Sequence, residues 1–328
     1  MIPSRRNLIA ALAAGALAVP RLGLAQQGFP TRAVTIYVPF AAGGPTDAIT
    51  RIVAEGLQRQ LGQPVVVENA TGAGGTIAAT RVAQAKPDGY SLLMHHIGLA
   101  STATLYRKLP FSVTESFAPL GLVSEAAMTL VARPDFAATD LAGLMAAIKD
   151  QGDKLNMGHS GLGGANHLCG MLLQHAAGRA VTGVPYRGSG PALTEVTAGR
   201  LDIFCDQATN TIGFIKDNRV KAYAVTSEAR VPGLDGLPTT TEAGQPSLVM
   251  STWHGLYAPK GTPEAVQERL SAALRAALKE PSLRERFAKI VTDPAADERA
   301  TPAYHRRFLA EEVARWRPII QAAGQYAD

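Results

Sequence analysis

Apolar residues fall in short blocks bounded by glycine and proline, and between these blocks the spacing changes to that of amphipathic helices. The first block covers 34–40 and meets a two-glycine turn at Gly43 and Gly44. From 46 to 61, Ile49, Ile52, Val53, Leu57 and Leu61 recur at helical spacing, and Gly62 closes the run as a C-terminal cap would. The pattern then predicts a strand at 64–68, a helix at 76–85 after the glycine run 72–75, a turn at 87–89 and a strand at 90–94. That β-α-β-α-β order predicts a parallel sheet. Apolar runs at 117–123 and 128–133 read as two strands separated by 124–127. A strand at 154–158, a glycine loop at 160–164 and a helix over 165–176 then repeat the opening unit. The segment 184–193 is a strand end running into a third helix, and strands are expected at 199–206 and 221–226. After a loop rich in Pro, Gly and Thr at 227–246 come a strand at 250–258 and helices over 263–278, 281–290 and 302–323, each with proline near its start.

An α/β chain of this length exceeds one small core and predicts two lobes, each a mostly parallel sheet flanked by helices. The division expected is 27–126 with 250–328 as the first domain and 127–249 as the second. The chain would cross between them near 124–128 and again near 250–253. Two crossovers permit rotation of the lobes as nearly rigid bodies. Residues 1–26 stand outside the fold as an export signal: Arg5 and Arg6 form a twin-arginine pattern, an apolar run follows, and small residues mark cleavage near Ala25. The twin-arginine match is partial, since Leu8 follows Asn7 where a Phe-Leu pair is usual, so Sec export also fits. The apolar run from 8 to 19 is short of the roughly 18 residues that span a bilayer. The net charge of +5 includes Arg5, Arg6 and Arg21, leaving +2 for the mature part, and no basic run carries interleaved aromatics. Nucleic acid is thereby excluded as a partner.

The chemistry begins where the first strand meets the first helix. First-turn N–H groups lack intrahelical partners and the helix dipole adds partial positive charge, so such a junction holds small anions. The repeat of this unit at 160–164 would place a second helix N-terminus against the same cleft. Adjacent His95 and His96 suggest a metal, but neighbours on a strand face opposite sides and no third ligand follows at metal spacing. Neither metal nor other cofactor is expected. A protonated imidazole there would strengthen anion binding as pH falls through about 6.5, whereas a neutral one would only shape the pocket. Ser160 lies in Gly158-His159-Ser160-Gly161-Leu162, one glycine short of a nucleophile elbow. Asp206 and His254 follow in triad order, which leaves an exported serine hydrolase as an alternative. No P-loop occurs, and Ile77 stands where a dinucleotide fingerprint needs its third glycine. Cys169 and Cys205, the two cysteines, could form a disulfide or be two ordinary buried residues.

The segments Val38-Pro39-Phe40-Ala41-Ala42-Gly43-Gly44-Pro45-Thr46-Asp47, Gly62-Gln63-Pro64-Val65-Val66-Val67-Glu68-Asn69, Gly72-Ala73-Gly74-Gly75 and Lys86-Pro87-Asp88-Gly89-Tyr90 form one set. Together with Tyr106-Arg107-Lys108-Leu109-Pro110, His167-Leu168, Val184-Pro185-Tyr186-Arg187-Gly188 and Ala258-Pro259-Lys260-Gly261-Thr262-Pro263, they resemble the Bug family. These are periplasmic solute receptors of tripartite tricarboxylate transporters, and the resemblance runs through the mature chain in order. It implies a type II-like Venus-flytrap fold, a non-catalytic role, a periplasmic location, a small organic carboxylate as ligand and membrane permease subunits as partners. The ligand would be a di- or tricarboxylate, an amino-acid-like acid or an aromatic acid, and the protein would be a monomer. A ligand-sensing accessory of a membrane signalling system would share the fold. The ligand loops implied comprise Phe40, Ala42, Gly43, Gly44, Thr46 and Asp47; His95, His96 and Ile97; Ser160, Gly161, Gly164, Ala165 and Asn166; and Arg187, Gly188, Ser189 and Asp206. Relatives usually carry Gly, Ser or Thr where this chain has His95 and His96, and often Phe where it has Cys205. Arg187 replaces a frequent Lys, and its fork suits a carboxylate.

Overall fold

The computed structural model describes residues 28–327. The expected export signal lies outside them. Strand β1 (Val34–Val38) leads into helix α1 (Pro45–Leu61), followed by β2 (Val65–Asn69), α2 (Thr76–Ala83), β3 (Ser91–His96) and α3 (Gly98–Leu105). Next come β4 (Phe117–Ala132), α4 (Leu141–Gln151), β5 (Asn156–His159), α5 (Ala165–Ala177), β6 (Thr182–Pro185), α6 (Ser189–Thr197), β7 (Ile203–Gln207), α7 (Ala208–Lys216) and β8 (Lys221–Val225). The chain closes with β9 (Ser251–Pro259), α8 (Glu264–Lys279), α9 (Pro281–Lys289), β10 (Asp293–Pro294) and α10 (Pro302–Ala323).

The strands run in the order β2-β1-β3-β9-β4-β7-β5-β6, with β8 and β10 also pairing with β4. The parallel sheet expected of each half is present at the flanks, where β1 pairs in parallel with β2 and β3, and β5 with β6 and β7. The centre is antiparallel: β9 pairs with β3 and β4, and β4 with β7 and β8. The runs 117–123 and 128–133 are one strand, because 124–127 stays paired to β9 through Ser124↔His254 and Ala127↔Ser251. One residue later the partner changes, with Met128 opposite Gln207 of β7. β4 is therefore shared by the two halves, and β9 begins where its pairing switches. Gly121 and the register shifts at Pro119/Gly121 and Leu122/Ser124 bend this long strand and sharpen its twist locally.

Burial follows the helical pattern. Ile49, Ile52, Val53, Leu57 and Leu61 of α1 are buried against β1 and α8, and Gly62 adopts the left-handed cap with its N–H on the Gln58 carbonyl. Helices α3, α4 and α7 lie where the hydrophobic pattern predicts none. All three are short and rich in Ala, Thr or Gly, so their hydrophobic period is weak, and packing on neighbouring elements holds them.

Cys169 of α5 and Cys205 of β7 are joined in a disulfide, which settles the alternative left open by their spacing. The bond closes a loop across 36 residues. Replacing both cysteines by alanine is expected to cost roughly 3–4 kcal/mol through the freed unfolded chain. Urea unfolding of parent and double variant under oxidising conditions measures this, and coincident midpoints would refute it.

Candidate functional site

The two halves meet along a seam at the carboxyl ends of β1, β3, β5 and β7, where Ala41 N–H donates to the Arg187 carbonyl at 3.2 Å. Helices α1, α5 and α6 all begin beside this contact, with Gly44, Gly164 and Gly188 as N-caps and no capping side chain at any of them. Pro45 and Pro191 have no N–H, so the orphan first-turn donors are those of Thr46 and Asp47, of Ala165, Asn166 and His167, and of Ser189 and Gly190.

The loop preceding α1 is held from within. Asp47 is buried, and its Oδ2 accepts from Gly43 N at 2.9 Å and Arg51 Nε at 2.9 Å while Oδ1 accepts from Asn69 Nδ2 at 3.0 Å. Burial alone would raise this carboxyl, but the hydrogen bonds from Arg51, Gly43 and Asn69 together outweigh it and hold its pKa below the usual value. Asn69 also donates to the Phe40 carbonyl, and Gly44 N–H goes to Ala41 O at 3.3 Å. Two N–H groups expected to face a ligand are thus spent on the loop, and Asp47 is a positioning residue. Gly43 takes a positive φ of 79°, while a Cβ there would meet nothing within 4 Å and one on Gly44 would touch only the Ala41 carbonyl at 3.3 Å. Within the protein, Gly43 is favoured by its φ and not by a close neighbour. Ala42 is exposed at the tip.

The histidine pair is buried beneath the loop that precedes α1. Phe40 stacks on His96 at 4.5 Å between ring centroids, and His95 lies 5.2 Å from His96. His95 Nδ1 lies 2.9 Å from its donor His96 N, and His96 Nδ1 2.9 Å from Gly98 N. Ile97 is buried, with its N–H on the Trp253 carbonyl. Thr46 Oγ1 lies 3.2 Å from Nε2 of His254, whose Nδ1 meets Ser124 Oγ at 3.3 Å. Burial pushes His95 down to about 4 and His96 well below its ordinary value. A proton switch near pH 6.5 is therefore contradicted: both rings are buried and neutral. Among the described residues no three His, Cys, Asp or Glu are grouped to hold a metal ion.

In the second half, Asp206 is fully buried at the end of β7. Its Oδ1 accepts from Asn166 Nδ2 at 2.7 Å and Ser189 Oγ at 2.9 Å, and its Oδ2 from Asn210 Nδ2 at 2.6 Å. Burial raises its pKa to about 6 against the pull of these donors. Ser160 Oγ donates to Asn166 Oδ1 at 2.7 Å. The hydrolase alternative fails on this geometry: Ser160 is bonded to an amide, Asp206 to Asn and Ser, and His254 to Thr46 and Ser124 in the other half. Gly161 N–H and Gly163 N–H go to Nδ1 of His159 and His167, and Gly164 N–H to the Gly161 carbonyl. Arg187 is exposed beside the seam.

A cavity of about 460 Å³ opens between the halves, lined among others by Gly74, Tyr106, Ser160, Gly161, Tyr186 and Arg187. Sequence reasoning missed Tyr106 and the 72–75 turn as parts of this site, although the glycine run was a visible signal. Tyr106 OH contacts the Ala73 carbonyl at 2.8 Å and the Leu162 carbonyl at 3.2 Å, bridging the halves. Ser101 Oγ does the same between the Gly98 and Gly163 carbonyls. A second cavity of about 540 Å³ lies between α5 and α10, lined largely by apolar residues such as Met171, Leu172 and Ile319, away from the three N-caps.

Residues 49–325 match the family described as "Tripartite tricarboxylate transporter family receptor". The chain belongs to this family. The receptor is 46% identical over 307 residues to a UPF0065 protein from the TAR-I ttuE-ttuC' intergenic region of Agrobacterium vitis, covering 94% of this chain and 89% of that one. Its fold is similar to that of the periplasmic binding protein BugD (TM-score 0.88, 41% identity, 92% of this chain and 100% of that one). It is also similar to MatC from Rhodopseudomonas palustris with bound malate (TM-score 0.87, 37% identity, 89% and 100%). The receptor is thus a two-lobed α/β solute-binding protein of the Bug type and not an enzyme.

Proposed function

We propose that the receptor is exported to the periplasm, closes its two lobes on a small organic carboxylate and delivers it to the permease subunits of a tripartite tricarboxylate transporter. The observation that carries this is the convergence of three uncapped helix N-termini on one seam, beside the Arg187 guanidinium. Orphan N–H groups and helix dipoles supply donors and partial positive charge without a metal. The bound malate of MatC belongs to the same ligand class. The first lobe would comprise 27–126 and 250–328 and the second 127–249, hinged where β4 changes partners and β9 begins. The leader 1–26 would be removed near Ala25 and the mature protein would act as a monomer.

Thermal shift against C3–C6 mono- and dicarboxylates, with mass spectrometry of ligand carried through purification, tests the reading. A cognate acid at about 100 times its Kd should add roughly 2.7 kcal/mol, or about 4 °C for a chain of this size. No shift with any member at 10 mM, and no carboxylate in the purified protein, would refute it.

A further inference from the structure

The chain leaves α10 at Gly324, whose φ of 64° turns it out of the helix, and the tail that follows is fastened to the first half. Ala327 N–H donates to the Leu105 carbonyl at 2.8 Å, and the Ala327 carbonyl accepts from Arg107 N–H at 3.0 Å, while α10 itself packs on α3 and β4. Between the helix and this clasp, Gln325 reaches across the seam. Its Oε1 lies 2.8 Å from Nε2 of His167, in the first turn of α5.

The His167 imidazole is engaged at both nitrogens. Gly163 N–H can only donate, so Nδ1 accepts from it at 3.3 Å. Burial, with the neighbouring His159, lowers this ring to about 4, so at pH 7 it is neutral and its single proton sits on Nε2, facing Gln325. Gly163 follows directly on Ser160, Gly161 and Leu162, which line the cavity between the lobes. One chain of hydrogen bonds thus runs from the C-terminal tail of the first half to a cavity-lining loop of the second. Two other side-chain contacts across the seam are weaker. Tyr106 and Ser101 have one hydroxyl proton each, and each oxygen lies closer to a carbonyl of its own half (Ala73 at 2.8 Å, Gly98 at 2.9 Å) than to Leu162 at 3.2 Å or Gly163 at 3.1 Å.

We propose that Gln325 is a positioning residue for ligand retention: by accepting the His167 N–H it fixes the imidazole, and through it the Gly163 end of the loop, in the closed arrangement of the lobes. The inference rests on the carboxylate-receptor reading and assigns the C-terminal tail a part in it. A bond between residues of different lobes forms after the lobes meet, so it slows escape of the ligand and leaves encounter with the open receptor unchanged. The net effect of one hydrogen bond between neutral groups corresponds to about a fivefold change in rate.

Surface plasmon resonance at pH 7 tests this, with the C3–C6 mono- and dicarboxylates, malate and adipate among them, passed over immobilised parent, Gln325→Ala and Gln325→Glu. Gln325→Ala should release a bound acid about fivefold faster with its association rate unchanged. Gln325→Glu keeps an acceptor at the same place and should restore parental release. Unchanged release from Gln325→Ala overturns the proposal, as does slower association in place of faster release, or a Gln325→Glu protein that releases as fast as Gln325→Ala. Nitrogen-15 NMR of the acid-loaded parent should find His167 protonated at Nε2, and protonation at Nδ1 would overturn the proposal as well. If no acid binds the parent, the carboxylate reading falls and this inference with it; if an acid binds parent and Gln325→Ala with the same rates, the inference alone falls.

Discussion

Lowering the pH from 7 to 5 is expected to unfold most of the protein. His95, His167, His254 and His305 are buried, and the loss of water lowers His95 and His167 to about 4 and His254 and His305 to about 3; the neighbouring His159 adds to the effect on His167, and His95 to that on His254. Each ring is neutral when folded and takes a proton near pH 6.5 when unfolded, so its contribution is complete above that pH and is lost as pH falls toward the folded value. At pH 5 the unfolded chain gains roughly 2 kcal/mol per histidine, at about 1.4 kcal/mol per pH unit. Four histidines together give roughly 8 kcal/mol, which matches the whole stability of a typical domain at 5–15 kcal/mol. Asp206 acts in the opposite sense, because a pKa raised to about 6 favours the folded state as pH falls, but it returns only about 1 kcal/mol over the same range. Asp47, with its pKa lowered, adds destabilisation only near and below pH 4. The histidines win. Far-ultraviolet circular dichroism and tryptophan fluorescence during a pH titration should show a cooperative transition near pH 5. Full native signal at pH 4 would mean that these imidazoles carry charge in the folded protein.

Gly74→Val is expected to abolish ligand binding while leaving each lobe folded. A Cβ on Gly74 would lie 2.0 Å from the Leu162 carbonyl oxygen and 2.5 Å from Tyr106 OH, and one on Gly161 would lie 2.9 Å from the Gly74 backbone. The Leu162 oxygen belongs to the main chain of the second lobe, so it yields only if the lobes separate. A receptor held open cannot surround its ligand, and affinity should fall by at least about 100-fold, equivalent to some 2.7 kcal/mol. Position 74 also has a φ of 60°, which costs a branched residue roughly 1–2 kcal/mol wherever it occurs. Gly178→Val separates the two effects, because that glycine has a φ of 66° at the end of α5 and nothing within 4 Å of its added Cβ. It should lose similar stability and keep its affinity. Calorimetry gives the affinities, and small-angle scattering should show a radius of gyration that shrinks with ligand in the parent and in Gly178→Val but not in Gly74→Val. Parental affinity in Gly74→Val would refute the argument. By contrast, no atom of the other lobe lies against Gly43 or Gly44, so alanine at Gly44 should be tolerated far better, while alanine at Gly43 should carry only the cost of its positive φ.

Much of the architecture is local and was therefore visible in the chain. The apolar stripe of α1 and its Gly62 cap, the prolines opening α9 and α10, and the repeated strand–glycine-loop–helix unit all express short-range rules of spacing and backbone freedom. Charge, cysteine count and the absence of a P-loop likewise exclude whole classes of function from the sequence alone. Long-range pairing decided the rest. Nothing in 117–133 says that both runs form one strand, because its partners, Ser251–Pro259 and Ile203–Gln207, lie some 70 residues or more away. Adjacent histidines look the same in a sequence whether exposed or buried, and only the packing of Phe40, Gly75 and His254 around them makes them neutral. Asp47 and Asp206 similarly read as acids near a ligand until their donors are known. Composition supplies the functional groups; which of them remain free to bind is set by the hydrogen bonds that tertiary structure has already made.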